Sequence, residues 1–565
     1  MRDIPSQQYL KEVPKAPEDA FIRTATPSNL TEWIVYFIHR FQSGKRYRPS
    51  GYWRYALGVY KNLFLCFYFN WLAIFTAPIS SLAFLLSYPI ISGFLFFFEL
   101  GLKLFMDGMG GNHLMKLISR DYGFGFGMIS WGAPELLLSK QTGELIRTTL
   151  PSLGKPSPFS TDHRNRVFDI SIAQTMLVLS ALVYERDDEK VREAHQSNLD
   201  HQKNLTKDME QRMHRLVSES EASIRHIAQQ YGLQFAGMTE LKSLGGPFCG
   251  LYWSEDHPMM IVALKGTTPT NYSEFLVDAT LQRTDARTYL FGSAHEGFYD
   301  SLFPTHMDDE HSGDPYYAIQ TAVVQRAQEM QARFQQPIQL WVTGHSLGAA
   351  MGSLLFARWL KCPGDIEPYC TLRDCYMFGT PAVGDSDFAS EFASYSNLPL
   401  HRTSTLWRVI NQSDLICHLP PGYNSPTIGH YAPRTDFFNY SHVGHAVQIT
   451  HPILNPKPLK AYPSHYETNL NVILSSGLWK KAWSQTAAKQ ELKHSTAKKS
   501  KYAKTSDTYY SAWTKYGVDR LGLDPISFIE SLYPFFMRDH LPIHYFNGLE
   551  RAREYQMLVE QGITQ

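Results

Sequence analysis

The chain has 565 residues, 44% hydrophobic and 14% aromatic, enough apolar matter for a large core. Lys plus Arg and Asp plus Glu both number 53, and that balance gives no reason to expect nucleic acid as a partner. Six cysteines in a chain this long do not make a disulfide framework. Neither a C-x-x-C nor a Cys/His metal spacing occurs, so neither a metal nor another cofactor is expected.

Residues 1–50 read as a polar, loosely ordered tail. They have no apolar core of a secretory signal, and they carry one amphipathic patch, Trp33-Ile34-Val35-Tyr36-Phe37-Ile38. Residues 51–105 hold the most apolar stretch. Asn62 to Phe98 runs about 37 residues without a charge, too long for one simple span, and Pro78 with Ser80-Ser81 divides it. Two arms of a membrane hairpin, or one broken span, fit that pattern. Lys45, Arg46, Arg48, Arg54 and Lys61 precede it; Lys103, Lys116 and Arg120 follow. Positive charge on both flanks favours a hairpin with both ends in the cytosol. The competing reading is an apolar helical pair folded against the rest of the protein. Residues 106–165 are rich in glycine, serine and proline and read as a linker with short helices.

From 166 to 565 the pattern becomes that of a folded domain. Val167–Tyr184 reads as a buried helix and Arg192 to Tyr231 as a solvated helical pair. Phe248–Trp253, Met259–Leu264, Ile338–Thr343, Asp374–Phe378 and Leu406–Ile410 read as strands. Leu347–Lys361 reads as a helix. Strands alternating with helices predict a doubly wound α/β architecture with a mainly parallel central sheet and flanking helices. A lysine-rich insertion near 480–505 (Lys480, Lys481, Lys489, Lys493, Lys498, Lys499, Lys501, Lys504) reads as a solvated linker. Attraction to anionic lipid headgroups is the sharper alternative.

The chemistry centres on Gly344-His345-Ser346-Leu347-Gly348, a G-x-S-x-G pentapeptide between a predicted strand and a predicted helix. A serine on so sharp a turn is an exposed nucleophile, and glycines two before and two after it permit the close backbone approach. In α/β-hydrolases the acid and then the base follow in the chain. Asp414 is the candidate acid, because it follows the strand Trp407–Ile410 directly; Asp385 is the second choice. His540, in a loop ahead of Tyr545 and Leu549, is the candidate base, with His465 and His442 as alternatives. Leu347 would supply one oxyanion N–H. The turn after Met259–Leu264, through Lys265-Gly266-Thr267, would supply the other from Thr267.

These ordered motifs resemble the fungal-type (class 3) triacylglycerol lipases, from about Val167 to Ala552. Lys265-Gly266-Thr267 is similar to that family's oxyanion loop. Asn271 to Asp278 is similar to its lid, with Asn271, Phe275, Leu276 and Val277 as lid residues. His295-Glu296-Gly297-Phe298 and Phe378-Gly379-Thr380-Pro381 resemble two further family elements. Asn411–Asp414 resembles the N-x-x-D acid, and Asp539-His540 the base. Ala349 and Ala382 depart from the pattern, standing where the family often has glycine and arginine. The resemblance implies an α/β-hydrolase fold and a lipase hydrolysing acylglycerol esters at a lipid–water interface, through a Ser346-His540-Asp414 triad and an acyl-enzyme. A phospholipase on anionic membranes and a catalytically silent lipid-binding scaffold are the alternatives. Sequons at Asn29, Asn204, Asn271, Asn411 and Asn439 bear on compartment. A glycan at Asn271 or Asn411 would crowd the site, which favours a cytosolic domain, and a hairpin with both ends cytosolic suits the endoplasmic reticulum or a lipid-droplet surface.

Overall fold

The computed structural model describes residues 134–156, 165–188, 207–240, 248–266, 283–303, 315–396, 404–420, 439–451, 457–466, 471–477 and 538–562, with scattered positions elsewhere, notably between 64 and 104. The tail and the lysine-rich insertion lie outside the described residues.

The strands, in chain order, begin with β1 (Asn165–Asp169), β2 (Gln234–Glu240), β3 (Phe248–Trp253), β4 (Met259–Lys265), β5 (Arg283–Asp285) and β6 (Ser293–His295). There follow β7 (Ile338–His345), β8 (Cys370–Phe378), β9 (Leu406–Asn411), β10 (His445–Ile449), β11 (Leu459–Tyr462) and β12 (Asn471–Ser475). Eight of them form one sheet in the order β11-β10-β9-β8-β7-β4-β3-β2. It is a mixed sheet. Its five inner strands, β10 to β4, run parallel, while β11, β3 and β2 are added antiparallel. All residues of β4 and β7 are buried, as strands covered on both faces must be, which is why both read as largely apolar runs.

The helices used below are α1 (Trp71–Thr76), α2 (Lys140–Leu153), α3 (Ile170–Leu182), α4 (Glu296–Leu302), α5 (Leu347–Lys361), α6 (Ser386–Ser396) and α7 (Pro542–Glu560). Helices α3 and α5 both pack along β7 and β4. The Thr343 hydroxyl donates to the Met176 carbonyl of α3, and the Trp341 indole N–H donates to the Leu153 carbonyl of α2. Leu145, Ile146 and Leu153 of α2 are fully buried, so residues 106–165 contain a helix that belongs to the core rather than short linker helices alone.

One predicted helix starts late. Val167 and Phe168 belong to β1, paired in parallel with Ile473 and Leu474 of β12. The helix begins only at Ile170, where the Asp169 carboxylate caps it by accepting from the Ile172 N–H. A strand that pairs 300 residues away leaves no local signal.

No helix among the described residues is long and apolar enough to cross a membrane. Several large apolar side chains described between 64 and 104 are nevertheless strongly exposed: Phe64, Tyr68, Trp71, Phe75, Ile79, Leu82, Leu86 and Phe97 all lie more than half open.

Candidate active site

Ser346 stands between β7 and α5 with φ +58° and ψ −130°. A side chain at positive φ is sterically costly, about 1–3 kcal/mol, and such strain persists only where the surroundings enforce it. They do so here. The Ser346 N–H donates to the Phe378 carbonyl of β8, 2.9 Å away. A Cβ on Gly344 would lie 2.5 Å from the Gly348 carbonyl oxygen, and one on Gly348 2.2 Å from the Leu264 carbonyl oxygen. The two glycines of the pentapeptide are therefore demanded by backbone, which cannot swing aside. The turn also brings the end of β4 against the start of α5. Leu347, first residue of that helix, presents an N–H that no helical turn consumes, at the positive end of the helix dipole.

Two loops assemble beside this turn. Gly379, after β8, has φ +63°, and a Cβ there would lie 2.6 Å from the His540 ring and 3.1 Å from the Asp414 carboxylate. His540 Nδ1 and Asp414 Oδ2 are 2.8 Å apart, both buried. A carboxylate can only accept, so Nδ1 carries the proton and Nε2 is the basic nitrogen of the neutral ring. The loops are joined at two further points. The Asn411 amide donates to the Asp539 carbonyl (2.8 Å), and the Ser413 N–H donates to the Asp539 carboxylate (3.1 Å). That explains why both the N-x-x-D and the D-H patterns carry polar residues next to the pair itself. The commitment of the Asn411 amide, on a fully buried residue, also leaves this sequon no room for a glycan in the folded chain.

Burial pushes the Asp414 carboxyl up. The neighbouring His540, hydrogen bonds from His540 and Tyr545, and the Ile416 N–H together outweigh that push and hold it below the ordinary carboxylate range. The Tyr545 hydroxyl donates to Asp414 Oδ2 over 2.5 Å. Tyr545 was not anticipated from sequence. It follows His540 by five residues, on the first turn of α7, which Pro542 opens, so the turn that carries the histidine also returns a donor to its acid.

His345 was likewise passed over. It is fully buried, and its Nε2 lies 2.8 Å from the His540 carbonyl. Burial, and then the neighbouring His540, push it down to about 3, so it stays neutral. The unfolded chain protonates this ring below about pH 6.5. Acid therefore favours unfolding between about 6.5 and 3, by up to about 1.4 kcal/mol per pH unit for this group. His345→Gln should flatten the fall of Tm measured from pH 6.5 to 4. An unchanged slope would mean that His345 does not contribute.

The remaining sequence candidates fall as follows. Thr267 and the lid residues Asn271, Phe275, Leu276 and Val277 lie outside the described residues. Asp385 caps α6 through the Phe388 N–H and also accepts from the Ser293 N–H, a structural task. His465 is exposed on a turn after β11. His442 lies beside Arg408, His418 and the Cys417 backbone, with burial first and then Arg408 pushing its pKa well down. No group of acidic, histidine or cysteine side chains that could hold a metal occurs among the described residues.

Three solved structures similar to the chain are fungal enzymes. Lipase II from Rhizopus niveus is 18% identical over 42% of this chain and 73% of its own, with a TM-score of 0.29. The triacylglyceride lipase of Rhizomucor miehei is 20% identical over 42% and 74%, with a TM-score of 0.30. The lipase from Rhizopus microsporus var. chinensis is 18% identical over 56% and 85%, with a TM-score of 0.31. No curated protein matches the chain. The family model of the class 3 lipases matches residues 261–424, a stretch that takes in β4, the strained serine turn and Asp414 and stops short of His540. Over that stretch, the chain is similar to the class 3 lipases.

Proposed function

We propose that the chain is a serine lipase that cleaves acylglycerol carboxylic esters at a lipid surface. The observation that carries this reading is the buried His540–Asp414 pair set beside a strained serine turn, the turn and Asp414 lying in the stretch that matches the class 3 lipase model. In this reading the Ser346 hydroxyl attacks the ester carbonyl as His540 Nε2 takes its proton. The Leu347 N–H and the turn after β4, with Thr267, hold the oxyanion. His540 then protonates the departing glycerol oxygen, leaving an acyl-serine. Water attacks the acyl-serine with His540 again as base, and the fatty acid departs. Asp414 keeps the imidazole in the productive tautomer throughout.

The lipid surface enters through residues 64–104. Phe64, Tyr68, Trp71 and Phe75 follow the spacing of one helix face, with Phe64 stacked on Tyr68 and Trp71 edge-on to Phe75. Leaving such side chains in water forgoes about 1.5–3 kcal/mol each. A membrane hairpin, with both ends cytosolic at the endoplasmic reticulum or a lipid-droplet surface, accounts for them. Lid opening over Phe275, Leu276 and Val277 at that surface would uncover the acyl pocket.

The test is hydrolysis of triacylglycerol, diacylglycerol and anionic phospholipid emulsions by the full chain, with fluorophosphonate labelling in parallel. Release of fatty acid from acylglycerols by a chain that labels is the expected result. Dominant phospholipid cleavage would move the substrate class. A folded chain that neither labels nor turns over would leave a lipid-binding scaffold.

A further inference from the structure

The end of β4 and the serine turn meet at a buried hydroxyl. Tyr184 follows α3 by two residues, and its ring packs edge-on against His345 at 5.9 Å between centroids. Its hydroxyl accepts from the Gly266 N–H at 3.3 Å, and it lies 3.2 Å from the His345 carbonyl and 3.3 Å from His345 Nδ1. One proton serves both of the last two contacts. Since a carbonyl only accepts, the 2.8 Å contact between His345 Nε2 and the His540 carbonyl places a proton on Nε2. Nδ1 of the neutral ring is then an acceptor, facing the Tyr184 hydroxyl. The same segment grips the preceding residue: Asp188 binds the buried Lys265 ammonium with both carboxylate oxygens, at 2.5 and 2.6 Å. Space is also tight. A Cβ on Gly266 would lie 2.8 Å from the Tyr184 oxygen and 2.9 Å from the Gly348 nitrogen.

We propose that Tyr184 is a positioning residue of the hydrolytic centre, tying the turn after β4 to the serine turn, and that His345 carries the tie on to the backbone of His540. This rests on the serine-hydrolase reading above. The three segments that must agree in position are far apart in sequence, and each is held here at a backbone atom. Backbone anchoring sets where oxyanion donors and base stand without touching substrate. A displacement of about 1 Å in such donors costs about a hundredfold in rate.

The experiment uses the full chain and a soluble short-chain ester, p-nitrophenyl butyrate, with sites counted by fluorophosphonate titration. Tyr184→Phe keeps the ring and removes the tie. Its kcat per titrated site should fall about 10- to 100-fold with KM within about twofold. Affinity for an alkyl boronic acid, which forms a tetrahedral adduct with the serine, should weaken by the same factor. A normal kcat per titrated site overturns the proposal, as does a kcat loss without loss of boronate affinity. A second pair covers the case in which Tyr184→Phe does not fold: His345→Gln, which can still donate to the His540 carbonyl, should retain at least tenfold more kcat than His345→Leu. Equal losses overturn the proposal. Should Ser346→Ala keep wild-type turnover, the serine-hydrolase reading falls and this proposal falls with it. Normal chemistry at Ser346 with an unaffected Tyr184→Phe removes only the role of Tyr184.

Discussion

Ser346→Ala should lower ester hydrolysis at least about a thousandfold while the chain stays folded. The fold should survive because the serine side chain makes no contact on which the turn depends. The turn is held by its backbone bond to Phe378 and by the glycines around it. His540→Ala should lose activity on the same scale. His465→Ala, on an exposed turn, should stay within about twofold of the parent. The contrast separates the two candidate bases in one measurement. Wild-type turnover in Ser346→Ala, or loss in His465→Ala with retention in His540→Ala, would refute the assignment. Ser346→Gly adds a check on strain. It removes the nucleophile and also the Cβ at φ +58°, so the inactive variant should gain about 1 kcal/mol over the parent. A melting temperature below that of Ser346→Ala would mean that the turn is not strained.

Gly348→Ala is expected to damage both stability and rate without touching any catalytic side chain. Its new methyl would stand 2.2 Å from the Leu264 carbonyl oxygen and 2.9 Å from the Gly266 nitrogen. Both neighbours are backbone, so β4 or α5 must move. Overpacking of this kind costs about 1–3 kcal/mol. The shift falls on the turn that would carry the oxyanion donors, and about a hundredfold in kcat should go with it. Gly364→Ala is the control: nothing lies within 4 Å of the position, and its effect should be under about 0.5 kcal/mol. Chemical denaturation and kcat on a soluble ester check both variants. Parent-like values for Gly348→Ala would show that β4 and α5 do not meet as described.

The inner sheet was legible because burial on both faces writes itself into the chain. β3, β4 and β7 are largely apolar and buried, and α5 is placed from Leu347 to Lys361 as the sequence predicts. Other strands were not. β10, β11 and β12 are only four or five residues long, and β2, β10, β11 and β12 are recognised through the partners they pair with rather than through a local pattern. Asp414 and His540 were nominated by position after a strand and before a helix, and the structure brings them within hydrogen-bonding distance. Tyr545, Tyr184 and His345 could not be nominated that way. Each acts through a contact with a loop distant in the chain or across a turn. One buried tyrosine among 32 carries no mark of the atom that its hydroxyl will meet.

By itself, then, the sequence determined the class of architecture and the one serine on a glycine-bounded turn, because periodicity and glycine spacing are local constraints. It also determined the long uncharged apolar stretch from Asn62 to Phe98. Tertiary structure decided the mixed character of the sheet, the strand at Val167–Phe168 and which aspartate meets which histidine. It likewise decided that a hydroxyl from Tyr184 lies at the junction of the turn after β4 and the serine turn. Those are matters of long-range pairing, in which a residue's role is set by the group that folding brings against it.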